Sequence, residues 1–156
     1  MASGRQAGSG ERKTKTMAAE STVLLTIPSE IRMVDVAHST AERLAETVGF
    51  AADASLDFGI AVRETVINAI VHGNGRDPAR DVDISFRLRP TGIEASVRDR
   101  GNGFDPTGFP DPTSRANILN TSGRGLLMVR AFVDRVEVRT PSGGGTEVVL
   151  DKALPD

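Results

Sequence analysis

Glu64 and Asn68 place a carboxylate and a carboxamide four residues apart, among mostly apolar neighbours. On a helix that spacing brings both to one face, about 6 Å apart along the axis. A carboxamide oxygen is a hard ligand suited to Mg²⁺, which is commonly bound together with substrate phosphates. A carboxylate one turn earlier is placed to orient or deprotonate a hydroxyl. Further along, Asp99-Arg-Gly-Asn-Gly103 sets an acid before glycines, where a base can approach the backbone without meeting a Cβ atom. Gly123-Arg-Gly-Leu126 then leads into an apolar helical pattern. A helix start there offers free N–H groups and a positive dipole end to a phosphate, with Arg124 as a charged donor. Taken in order, the three motifs describe a nucleotide site.

Each motif also has a plainer reading. The spacing of Glu64 and Asn68 fits a solvated polar stripe. Against that, asparagine is a poor helix-interior residue, because its side chain competes for backbone hydrogen bonds, and Asn68 sits between Ile67 and Ala69. Asp99-x-Gly101-x-Gly103 fits an ordinary turn. It is not a dinucleotide loop, since Pro106, Pro110 and Pro112 follow where a helix must open, and it lacks the oxygen ligands of a calcium loop. As an acceptor at a strand end, Asp99 suits an exocyclic amine such as that of adenine. Gly123-Arg-Gly125 alone would pass for a common helix start. His38 and His72 have no second metal ligand at useful spacing and read as structural. No Ser-His-Asp or Cys-His arrangement is apparent.

The elements that must hold these residues follow from periodicity. Thr22–Ile27 reads as a strand stopped by Pro28. Ser29 reads as the N-cap of a first helix, with apolar residues from Ile31 to Val48 at helical spacing and Gly49 as the stop. After a turn around Asp53, a second helix over 56–71 carries Glu64 and Asn68. Val82–Leu88 and Ile93–Val97 alternate as a hairpin that ends at Asp99. Residues 100–122 read as a long loop, 125–132 as a short apolar helix, and 133–140 and 146–150 as closing strands. The order implies an α+β fold: a mostly antiparallel, mixed sheet with three helices on one face.

With 156 residues the chain suffices for one domain with its own core. Residues 1–20 are poor in large apolar side chains and read as a disordered tail, leaving 21–156 as the domain. The absence of cysteine rules out disulfides and thiolate metal sites. With 19 Lys and Arg against 21 Asp and Glu, the net charge of −2 gives no broad nucleic-acid footprint. No apolar run is long enough for a membrane helix, and the reading is of a cytoplasmic protein.

With these residues in place, the chain resembles the GHKL ATPase superfamily, and within it the small bacterial anti-sigma factor serine/threonine kinases of the RsbW and SpoIIAB type. The resemblance spans residues 22–152. Glu64-Thr-Val-Ile-Asn-Ala-Ile-Val-His-Gly73 is similar to the family's N box, Asp99-Arg-Gly-Asn-Gly-Phe104 to its G1 box and Ser122-Gly-Arg-Gly-Leu-Leu-Met-Val129 to its G2 box. Gly145-Thr146 matches a glycine-threonine pair near the last strand.

The resemblance implies a two-layer Bergerat sandwich that binds ATP with Mg²⁺. Asn68 would ligate the metal and Glu64 would act as general base. Asp99 would bind the adenine amino group, with Gly101 and Gly103 allowing close packing and Thr146 supporting the same network. Residues 104–122 would form a lid over the phosphates, and Gly123, Arg124, Gly125 and Leu126 would lie at the phosphates. The implied substrate is an anti-anti-sigma (STAS) protein and the implied target a sigma factor. The first helix near Arg32 and Asp35 would contribute to the partner surface, and the sheet would form a homodimer. One departure bears on catalysis: Thr121 stands where close relatives carry an arginine for the γ-phosphate, a role open to Arg124 or Arg115. This departure keeps a second reading open, a nucleotide-gated anti-sigma module without kinase activity. A sensor histidine kinase half is disfavoured, because no helix pair with a phosphoacceptor histidine precedes the domain.

Overall fold

A computed structural model describes residues 19–102 and 125–156. Residues 1–18 of the expected tail and the expected lid, together with Gly103, Arg115, Thr121, Gly123 and Arg124, lie outside the described residues.

β1 (Ser21–Pro28) leads through a single tight turn at Ile31–Met33 into α1 (Val34–Val48) and α2 (Ala52–Asn68). β2 (Asp81–Arg89) and β3 (Gly92–Arg98) form the expected hairpin. α3 (Gly125–Phe132), β4 (Arg135–Arg139) and β5 (Glu147–Ala153) complete the described chain. The sheet order is β1-β2-β3-β5-β4. All four pairings among the described residues are antiparallel, so the sheet is the mostly antiparallel one expected, without the parallel pair that a mixed sheet would add. β3 and β4 run the same way, but β5 inserts between them, so these two do not pair.

Alternation gives the sheet two unlike faces. Val82, Ile84 and Phe86 of β2, Ile93, Ala95 and Val97 of β3, and Leu150 of β5 point into the core. α1 covers β2 and β3, α2 covers β3 and β5, and α3 packs against α2 and β4. Phe58 and Val62 of α2 and Ala37, Ala41 and Ala45 of α1 fill the helix side. The small residues on α1 let the two helices approach closely. Asp83, Arg87, Arg98, Arg135, Glu137 and Arg139 lie on the uncovered face. Among the described residues, no helix is long and apolar enough to cross a membrane.

Two helix boundaries differ from expectation. Ser29 caps nothing: its Oγ donates to the carbonyl of Arg80 at 2.6 Å, so α1 starts later, after Met33. α2 starts at Ala52 without a side-chain cap, which places Asp53 in its first turn rather than in a connecting turn. Gly49, at φ 121°, ends α1 as the sequence implies.

Candidate functional site

Glu64 and Asn68 lie on the last turn and a half of α2, both half-buried. Neither side chain hydrogen-bonds to another described residue. Immediately after Asn68 the helix widens into a π turn over Ala69–Gly73, closed by the Asn74 N–H donating to Ala69 O at 2.8 Å. Wider turns of this kind cost hydrogen-bond geometry and recur at functional sites. Here the turn carries the chain from α2 down to the ends of β2 and β3.

Asp99 follows β3 on the core side of the alternation and is 5% exposed. Its Oδ1 accepts the Gly101 N–H at 3.0 Å and the Thr146 N–H at 3.1 Å. Its own N–H donates to Thr146 O at 3.0 Å. Among the described residues, none donates to Oδ2. Burial raises the Asp99 pKa above its ordinary value, opposed by those two N–H groups and by the charges of Arg80 and Arg98. Glycine is required on three sides of this carboxylate. A Cβ on Gly73 would overlap Asp99 Oδ2, one on Gly101 would overlap the Gly73 carbonyl, and one on Gly145 would overlap the Asp99 carbonyl. Gly145 also takes φ 79°, which a side chain would disfavour.

The structure therefore brings together Asp99, Gly101 and Thr146, and joins them through Gly73 to the helix that bears Glu64 and Asn68. Gly125 opens α3 in a buried position and Leu126 follows it. His38 pairs its Nε2 with Glu42 at 3.3 Å within α1, on the side facing Gly59 of α2, and His72 is exposed. A cleft of about 390 Å³ beside Asp99 is lined by Asp83, Arg98, Arg100 and Gly143–Gly145. It opens toward the uncovered face, and neither Glu64 nor Asn68 lines it.

Two contributors escaped the sequence reading. In the sequence Gly73 stands only as the end of the motif that begins at Glu64, and Asn74 directly follows it. Yet Asn74 is 2% exposed and accepts the Arg100 N–H on its Oδ1 at 2.7 Å. Its Nδ2 donates to Ser29 Oγ at 2.8 Å and to the carbonyl of Asp81 at 3.1 Å. A lone Asn after a helix gives no sequence signal of such burial.

A family model described as the histidine kinase-like ATPase domain matches residues 27–152, which contain all of the described site. The chain belongs to the histidine kinase-like ATPase family. Within this family it is similar to the serine-protein kinase RsbW of Bacillus subtilis, 28% identical over 134 residues that cover 82% of each chain. The RsbW of Oceanobacillus iheyensis is 28% identical over 123 residues, covering 75% of this chain and 78% of the relative. The anti-sigma F factor of the same organism is 36% identical over 96 residues, covering 60% and 65%. Among solved structures, the RsbU and RsbW domains of a Mycobacterium tuberculosis protein superpose with a TM-score of 0.60 at 21% identity. That match covers 86% of this chain and a third of the other (33%), and it shows the shared fold.

The residues of this ATPase domain fit the ligand the family implies. A buried carboxylate with one oxygen held by backbone N–H groups leaves the other as an acceptor for an amino group. Among the described residues no group of three or more His, Asp or Glu is placed to hold a metal. A cation at Asn68 would therefore depend on phosphate oxygens and water for its remaining ligands, the usual habit of Mg²⁺.

Proposed function

We propose that the chain is an ATP-dependent serine/threonine protein kinase that also acts as an anti-sigma factor. In this reading it phosphorylates a serine or threonine of an anti-anti-sigma (STAS) partner, sequesters a sigma factor, and works in the cytoplasm as a homodimer. The observation that carries the reading is the pre-set Asp99 carboxylate joined through Gly73 to the helix face of Glu64 and Asn68. The names of the relatives supply the reaction class.

Asp99 Oδ2 would accept the adenine amino group, Thr146 would support that contact, and Gly101 and Gly103 would let the base lie close. Asn68 would hold Mg²⁺ against the phosphates, with Gly123, Arg124, Gly125 and Leu126 around them. Bound ATP with Mg²⁺ would supply the phosphoryl group and the charge neutralisation such transfers need. Glu64 would take the proton of the attacking hydroxyl. The partner surface would include the start of α1, where Arg63 Nη1 on α2 donates to Asp35 Oδ1 at 2.7 Å. The uncovered face of the sheet, where Leu24 is 76% exposed among charged residues, is the surface proposed for dimer formation.

Incubation with γ-labelled ATP, Mg²⁺ and anti-anti-sigma proteins of the same organism tests the reading. Label is expected on a serine or threonine of one partner and is expected to vanish in Glu64→Ala. Thr121 motivates a second reading, a nucleotide-gated binding module. That reading is favoured if ATP and ADP change partner affinity while no label is transferred.

A further inference from the structure

The contacts of Asn74 converge on the Asp99 corner from several elements. Its backbone closes the π turn that ends the catalytic helix. Its Nδ2 reaches Ser29 Oγ just past β1, and the carbonyls of Arg80 at 3.3 Å and Asp81 at 3.1 Å at the start of β2. Its Oδ1 takes the N–H of Arg100, the residue that follows Asp99. Ser29 is itself 3% exposed and completes the knot by donating to Arg80 O at 2.6 Å. No other described side chain bonds to this many separate segments around the site.

The position of this knot gives it a purpose beyond packing. Gly73, its immediate neighbour, lies against Asp99 Oδ2, and the Gly73 carbonyl lies against Gly101. The Asn74 bond to Arg100 fixes the peptide on one side of the Asp99 carboxylate, while Thr146 fixes the other. The Asn74 carboxamide therefore ties the end of α2 to the peptide that follows Asp99, beside the N–H groups of Gly101 and Thr146 that hold Asp99 Oδ1. A serine or alanine at 74 could not span the same groups, and an aspartate would keep the Arg100 bond but lose both N–H donors.

We infer that Asn74 is a positioning residue for base selection: it holds Asp99 Oδ2 at the distance from which that oxygen distinguishes a purine with a 6-amino group from one with a 6-oxo group. The inference rests on the proposed role of Asp99 toward adenine. A carboxylate accepts from an amino group and opposes a carbonyl oxygen, so ATP should be preferred over ITP, which is otherwise nearly identical.

The test is the ratio of ITP to ATP dissociation constants, measured by calorimetry with Mg²⁺ on the full chain, well below the unfolding midpoint of each variant. A charged hydrogen bond of this kind corresponds to a ratio of about 10 to 100 in the wild type. Asn74→Asp, which retains size but loses the Nδ2 bonds that anchor the Arg100 contact to Ser29 and β2, is expected to bring that ratio to within about threefold of unity while ITP affinity changes little. Ser29→Ala removes one acceptor of the knot and is expected to give an intermediate ratio; it serves if Asn74→Asp does not fold. A purely structural role would lower the melting temperature and leave the ratio intact, and a folded variant with an unchanged ratio overturns the inference. Asp99→Asn separates the two levels. If that variant keeps the wild-type ratio, or the wild type shows none, the Asp99 reading itself fails and the inference falls with it.

Discussion

Asp99 is 5% exposed with one carboxylate oxygen already held by two backbone N–H groups, whereas Glu64 and Asn68 are half-buried and unbonded to any described residue. The first region is built from main chain, glycine and the buried, fully bonded carboxamide of Asn74, which leaves little to reorganise when a ligand arrives. The second is built from side chains presented on a helix face. Under the proposed function the contrast would separate two tasks: recognition preorganised in the sheet end, and chemistry left on α2 to be completed by ligand and partner. Mutations in the two regions should then move different quantities.

The largest effect is expected where transfer is read alone. Glu64→Gln should lower the rate of partner phosphorylation by about 10²- to 10⁴-fold while ATP affinity stays within about threefold, checked by single-turnover transfer beside calorimetry. Equal losses in both would erase the division of labour. Asp99→Asn should do the reverse at the level of binding, weakening ATP by about 10- to 100-fold. Gly73→Ala forces Asp99 or the helix end to move, because the new Cβ would overlap Oδ2. Such overpacking costs about 1–3 kcal/mol of stability, seen in chemical denaturation, and should weaken ATP binding as well. A variant as stable and as tight as wild type would show that the corner is slack.

A subtler test uses pH. Burial raises the Asp99 pKa in the folded chain above that of the unfolded chain. Between those two values the folded state retains a proton that the unfolded state has lost. The contribution of this group to stability is therefore greatest below the unfolded value and declines as pH rises through the folded one. Measured as wild type minus Asp99→Asn, stability should become less favourable to wild type across that rise. ATP affinity should run the other way, strengthening as Asp99 ionises, with a flat profile in the variant. The smallest effect is the control: Arg43, paired with Glu46 at 3.0 Å on the outside of α1, should change stability by less than about 0.5 kcal/mol on substitution by alanine.

Much of the frame was legible because its signals are local. Alternation located the β2–β3 hairpin and delivered Asp99 to its end, and the residues between Gly123 and Phe132 located α3. What was hidden depends on distant partners. Ser29 has the chemistry of an N-cap, but a carbonyl fifty-one residues away, that of Arg80, claims its hydroxyl. Asp53 looked like a turn former and lies inside α2, because that helix starts without any cap. Which strand β4 pairs with depended on where β5 inserts, which no local pattern encodes. The π turn and Asn74 were hidden for the same reason: a widened turn is stabilised by the bonds that Asn74 makes to β2 and to Arg100, not by its own sequence.

The proposed function requires that nucleotide binding depend on Asp99 and not on Glu64. Its most direct test is calorimetric titration of ATP with Mg²⁺ into wild type, Glu64→Gln and Asp99→Asn. Saturable binding of similar affinity is expected in the first two and a large loss in the third. Binding that survives in Asp99→Asn, or collapses in Glu64→Gln, would contradict it.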